Sequence, residues 1–426
     1  MSETISLRRV AITGMGIVSA IGRNIAEFAH SLRTGKSGIG YLPPFGPGEA
    51  GWVGAPLGEF AFADMLKNNA AIPEPLKNAA MKSGRRAPLS IQCAIISAME
   101  AWLQAGLHMA AVQPERIGII IAGNNLTQAV QFGLYPKFHD TPEYLPPSYG
   151  LQFMDTDHLG TLSEVFAVRG EGFTAGGASA SGNVGLIKGL QLIRHGMVDV
   201  CMVIGAMADL SPMELQGFAN MGALGGKRFY DRPQEACRPF DQDHEGFIYG
   251  KASGCVILEA AGHATARGAT VLAELAGGAI ALDGNRLADP NMEGEIRAMQ
   301  AALKQAGMSA EEIDYINAHG TSTPLGDETE INALRQVFRP SLSRVRINST
   351  KELTGHCLYA AGVVEAIATV MQMREGFIHP NPNLKNPIAA DMLFGESVAV
   401  PAAIRAALSN SFGFGGINTA IIIRKG

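Results

Sequence analysis

The chain has 426 residues, 47% of them hydrophobic and only 17% charged, with 51 glycines and a formal net charge of −5. That composition excludes a disordered or coiled-coil protein, and an acidic balance without a basic run excludes nucleic acid as the expected partner. Five isolated cysteines without metal-ligand spacing, an N-terminus without a signal-peptide apolar core and the lack of any membrane-length apolar run predict a cytoplasmic protein with reduced thiols, no membrane partner and no metal.

In chain order, Arg9–Thr13 reads as a buried strand followed by Gly14-Met15-Gly16. A strand before GxG suggests dinucleotide binding, but the third glycine position holds Ser19 and no acidic ribose partner is evident. A tight turn leading to a helix over Ile25–Thr34 is the better expectation. Residues 43–86 have weak periodicity and read as a cap, and Ala87–Ala105 as a helix. Ile117–Gly123 is apolar without alternation, the mark of a strand covered on both faces. Asn125–Gly160 reads as an irregular aromatic excursion. Its Asp155-Thr156-Asp157-His158 lacks a third spaced ligand, so a hydrogen-bonded loop is preferred to a metal site.

Gly170–Gly189 runs from a strand-like piece through small residues into a helical pattern, Asn183–His195, with Ser179 at the helix start. Two readings stand for that hydroxyl: an N-cap, or a catalytic group at a strand-to-helix turn, where helix-end N–H groups favour developing negative charge. Asp199–Gly205 is a second buried strand, and Ser211–Asp243 is irregular. Ser253–Glu259 and Val271–Ala281 read as adjacent strands, followed by a helix over Glu293–Ala306, a strand over Ile313–Ala318 and a helix over Asp327–Val337. A strand at Val345–Asn348, a helix at Ala360–Gly376 and a hairpin of Ala406–Asn410 and Asn418–Ile423 complete the chain. Strands alternating with helices in two similar successions predict α/β layering and an internal duplication, divided as residues 1–260 and 261–426.

Polar residues again follow strand ends at His319, at Lys351 and His356, and in the glycine loop Ser411–Gly416. Loops at the carboxyl ends of strands converge on one crevice. Imidazole N–H groups aimed at one carbonyl there would make an oxyanion-type site.

ITGMGIVSAIG, RPFDQDHEGFIYG, NAHGTSTPLGD, KELTGH and NSFGFGGIN together resemble the β-ketoacyl synthases, over nearly the whole chain. The resemblance implies the thiolase fold, two similar halves in an αβαβα arrangement of five layers. It also implies a homodimer, and a substrate carried on the phosphopantetheine of an acyl carrier protein with no other cofactor. It assigns His319 and His356 as the two catalytic histidines and Lys351 as the lysine. Phe412 and Phe414 match the gating phenylalanines, with the Phe414 N–H in the oxyanion hole, and Thr321 and Thr323 match substrate contacts.

Two positions depart from the family. Ser179 in Ala178-Ser179-Ala180-Ser181-Gly182 stands where the family has its cysteine nucleophile, and Lys251 stands where it usually has glutamate. A serine hydroxyl ionises far less readily than a thiol and needs a base. Acyl loading is therefore expected to fail, whereas decarboxylation of a malonyl thioester needs no covalent step. The chain is similar in this respect to the serine-bearing decarboxylases of polyketide β-branching clusters. The alternatives are an acyltransferase or hydrolase using Ser179 with His319 as base, a degenerate condensing enzyme, and a non-catalytic partner subunit, against which retention of both histidines and the lysine argues.

Overall fold

The computed structural model describes residues 7–44, 51–339 and 341–426. In chain order its principal elements are β1 (Val10–Ser19), α1 (Leu89–Gln104), β2 (Ile117–Ala122), β3 (Gly172–Ala175), α2 (Ser181–Arg194), β4 (Val200–Gly205), β5 (Ala252–Ala260) and β6 (Ala273–Leu282). They continue with α3 (Met292–Ala306), β7 (Tyr315–Asn317), α4 (Pro324–Phe338), β8 (Arg346–Asn348), α5 (Ala361–Glu375), β9 (Leu393–Phe394), β10 (Ala406–Gly413) and β11 (Ile417–Arg424).

The strands lie in the order β9-β8-β7-β10-β11-β6-β1-β5-β4-β2-β3. Counted outward from the centre, β1-β5-β4-β2-β3 repeats as β6-β11-β10-β7-β8, with β9 as an added edge. The strand directions repeat too: β5 and β11 run antiparallel to both neighbours, and the outer strands are parallel. The two sheets join at β1 and β6 through two residue pairs, Ala11 with Glu274 and Ile12 with Ala273. Helices α2 and α5 pack on each other between the sheets, α1 covers β1 and β5 outside, and α3 covers β6 and β11 beside α4. This is the five-layered αβαβα arrangement. Helix α5 is buried over almost its whole length, mostly by apolar side chains, with its buried Glu365 and Gln372 hydrogen-bonded to Lys351 and Tyr315. We propose that the halves divide at residues 260/261.

Four expectations are corrected. The chain does not turn at Gly14-Met15-Gly16; β1 runs through it with a bulge between Ile12 and Gly14. A Cβ on Gly14 would lie 2.2 Å from the Ala101 carbonyl oxygen, and one on Gly16 2.0 Å from that of Ser97, so these glycines let α1 lie directly on the strand. Without that turn the dinucleotide reading fails. β5 and β6 are not adjacent, since β1 lies between them. The excursion at 125–160 is largely helical, over Gln128–Asp140, Tyr149–Gln152 and Thr156–Phe166. The closing hairpin extends to Gly413 and resumes at Ile417, so only Phe414–Gly416 turn. In the cap, helices form at Phe62–Asn68 and Glu74–Gly84, with residues 45–50 outside the described part.

Candidate active site

The central helices begin at one place. Ala178 and Leu358 both adopt left-handed backbone, with φ of 46° and 48°. Each opens a three-residue 3-10 turn that runs directly into α2 or α5. The helices touch at Gly182 and Gly362, where a Cβ on Gly182 would lie 2.7 Å from the Gly362 nitrogen. Ser179 sits within the first turn and caps nothing; Ser181 Oγ instead accepts from the Gly177 N–H and donates to the Ala178 carbonyl. The N-cap reading of Ser179 is thereby replaced by a hydroxyl presented to a cavity.

That cavity, about 380 Å³, brings together Ser179, His319, His356, Thr321, Thr323, Phe412 and Phe414, every site residue expected from the sequence except Lys351. His356 Nε2 lies 2.9 Å from Ser179 Oγ. The Leu358 N–H donates to His356 Nδ1 at 3.3 Å, which leaves the proton of the neutral ring on Nε2, facing Ser179. His319 stands edge-on to His356 with ring centres 5.5 Å apart.

Lys351 is buried behind His319 and does not line the cavity. Its ammonium has three hydrogens and three partners: Glu365 Oε1 at 2.5 Å, the His319 carbonyl at 2.6 Å and His319 Nδ1 at 3.4 Å. His319 therefore also carries its proton on Nε2. Burial and then the Lys351 charge hold His356 well below the usual imidazole range. Burial, Lys351 and His356 do the same for His319. Two neutral N–H donors thus face one space.

The chain around them is held by carboxylates. Glu330 accepts from the His319 and Gly320 N–H groups at 2.8 Å each, and burial pushes its carboxyl up to about 6. Asp327 ties two expected motifs together by accepting from the Phe240 and Ser322 N–H groups. Thr321 and Thr323 hydroxyls lie 2.8 Å apart. Gly413 lies against the serine turn, with the Gly177 carbonyl oxygen 2.5 Å from where its Cβ would be.

Sequence reasoning named Phe412 and Phe414 but missed Phe218 and Phe247, which complete an aromatic wall with them. Phe247 packs edge-on against His356 at 5.5 Å, Phe412 against His319 at 5.4 Å, and Phe218 spans Phe247 and Phe414 at 5.3 and 6.3 Å. Phe247 lies within the recognised RPFDQDHEGFIYG, which was the available signal. Glu330 and Glu365 were missed as well, being ordinary helix positions until the fold turns them inward. Lys251 pairs with the buried Asp209 at 3.1 Å, so the basic departure from the family pattern comes with an acid beside it. Asp155 accepts from the Asn125 and Leu126 N–H groups, and buried His158 meets Ser90 Oγ at 2.9 Å; the expected loop is instead the first turn of the helix Thr156–Phe166.

This fold, with two histidines and a turn at the heads of paired central helices, defines a condensing-enzyme scaffold. The chain belongs to the β-ketoacyl synthase family: the N-terminal domain model matches residues 7–264 and the C-terminal domain model residues 272–385. It is 39% identical over 421 residues to the polyketide biosynthesis malonyl-ACP decarboxylase PksF of Bacillus subtilis, covering 99% of this chain and 97% of that one. It is 30% identical to 3-oxoacyl-[acyl-carrier-protein] synthase 2 of Coxiella burnetii, over 98% and 99% of the two chains. Among solved structures, a β-ketoacyl synthase from Burkholderia phymatum superposes with a TM-score of 0.86 at 29% identity, covering 99% of this chain and all of that one.

Proposed function

We propose that the protein decarboxylates malonyl-acyl carrier protein to acetyl-acyl carrier protein, for polyketide β-branching, without joining carbon to carbon. The observation that carries the reading is the Leu358 N–H on His356 Nδ1. It makes His356 a donor toward Ser179 and not a base for it, so the serine lacks the partner a nucleophile requires. His319, the base of the acyltransferase alternative, has its own Nδ1 occupied by Lys351.

The same arrangement suits decarboxylation. The Nε2–H groups of His319 and His356 polarise the thioester carbonyl, helped by the backbone N–H groups of Ser179 and Phe414. The bond to the carboxylate carbon breaks, its electron pair moves into the enolate, and carbon dioxide leaves. The enolate carbon then takes a proton from water to give the acetyl thioester. Donors already in place need no reorganisation as charge reaches the oxygen. Phe218, Phe247, Phe412 and Phe414 replace water around the carboxylate, favouring its loss as a neutral molecule. Ser179 is a hydrogen-bonding filler, Lys351 positions His319, and Thr321 and Thr323 contact the pantetheine arm.

The relatives' names support an acyl carrier protein as partner. A homodimer is supported by the open edge of β3 and by exposed Phe132, Tyr135, Phe138 and Leu151 on neighbouring helices. Five buried free thiols, and no helix long and apolar enough to cross a membrane among the described residues, fit a cytoplasmic setting. Incubation with malonyl-carrier protein, followed by intact mass, tests the function. The thioester should lose the mass of carbon dioxide while the enzyme's mass stays constant. Persistent malonyl with an acylated Ser179 would sink the reading in favour of the acyltransferase.

A further inference from the structure

Tyr359 is to the second 3-10 turn what Ser179 is to the first. Both are the middle residue of a turn opened by a left-handed residue, both precede a central helix, and both line the cavity. No step of the proposed decarboxylation uses this phenol. Its ring packs against two apolar clusters, one under the N-terminal sheet around Leu126 and a smaller one of Leu210, Leu215 and Tyr249. Its Cβ lies 3.3 Å from where a side chain on Gly123 would begin, the residue just past β2. Met221 and Leu325 on the cavity lining are exposed, whereas Tyr359 and Ser179 are half-buried and His356 is buried. Burial, then the charges of Asp155 and Glu214, push its hydroxyl up to about 12, so it offers bulk and no base.

We propose that Tyr359 is the specificity-determining residue of this pocket. Its ring fills the space beyond Ser179, confines the acyl part to the size of malonyl or acetyl, and denies a longer chain its place. The malonyl side of this statement rests on the proposed function; the closure of the pocket does not. A smaller side chain at 359 would extend the cavity between two apolar clusters, a space suited to an alkyl chain and of little use to a carboxylate.

The test is binding of acetyl- and octanoyl-pantetheine amide analogues, in which nitrogen replaces the thioester sulfur so that nothing turns over. Tyr359→Ala should tighten the octanoyl analogue by about tenfold or more relative to the acetyl analogue. Tyr359→Phe should keep the wild-type ratio, because size and not the hydroxyl closes the pocket. Tyr359→Leu, intermediate in volume, serves if the alanine variant folds poorly. A ratio left unchanged by both alanine and leucine, or a wild-type pocket that holds octanoyl more tightly than acetyl, overturns the proposal. Loss of malonyl turnover plays no part in this readout, so failure of the decarboxylase reading is seen separately.

Discussion

The two halves repeat one strand order and one helix-capping turn, yet they divide the site unequally. The N-terminal half contributes a hydroxyl, small side chains and backbone N–H groups from Gly176-Gly177-Ala178-Ser179-Ala180, and the apolar rings of Phe218 and Phe247. The C-terminal half contributes every ionisable group of the centre: His319, Glu330, Lys351, His356 and Glu365. The family's nucleophile position therefore lies in one half and the side-chain donors to the carbonyl in the other. A single exchange at 179 can remove the first without disturbing the second, because none of the hydrogen bonds that fix Lys351, Glu365 and His319 passes through the serine.

Breaking the C-terminal contribution should have the largest effect. His356→Ala removes a preorganised donor, and malonyl-to-acetyl conversion followed by mass should slow by about 10²–10³-fold; a loss below about threefold would mean the C-terminal half does not carry the polarisation. Next comes the contact that makes the two halves comparable. Gly182→Ala places a Cβ 2.7 Å from backbone nitrogen in the facing helix and should destabilise the fold by about 1–3 kcal/mol in denaturant titration. A neutral result would show that the helix heads have room to part.

Ser179→Ala sharpens the comparison from the other side. Decarboxylation should survive within about tenfold, since only one hydrogen bond to His356 is lost; a drop as deep as that of His356→Ala would return the serine to the centre of the chemistry. The last effect, on stability and dependent on pH, concerns Glu352, next to Lys351. Burial raises its carboxyl from an ordinary 4.5 to about 8. The unfolded chain ionises it above 4.5 while the folded protein holds it protonated, so folding loses stability as pH rises between those values. Glu352→Gln does not titrate. Its melting temperature should match the wild type near pH 4.5 and exceed it by a growing margin toward pH 8; an offset independent of pH would remove the titration argument.

Most strands were legible because both faces of the sheets are covered and the strands lose alternation, as in Ile117–Ala122. The turn at Ser179 and the histidines after strand ends were legible for a related reason: small and polar residues interrupt apolar runs only where the backbone leaves the sheet. The helix Gln128–Asp140 was not legible, since it buries none of its residues and contains Pro136, leaving no periodic stripe. Gly14 and Gly16 misled because a glycine that admits a helix looks the same, in one dimension, as a glycine that turns the chain. The correspondence of Ser179 with Tyr359 was invisible as well. Ala-Ser-Ala and Leu-Tyr-Ala share only their last residue, and what they have in common is a dihedral angle.

The seam between β1 and β6 has a practical corollary. Two residue pairs are a slender union for sheets of this size, whereas α2 and α5 lie against each other in the interior. Cohesion between the halves thus resides in a helix pair donated one from each side. A polypeptide opened between Ala261 and Leu272 would leave each segment with its own sheet and its own central helix. Two such segments, produced separately, should find each other in solution and restore the centre by complementation, neither one holding a complete set of groups alone.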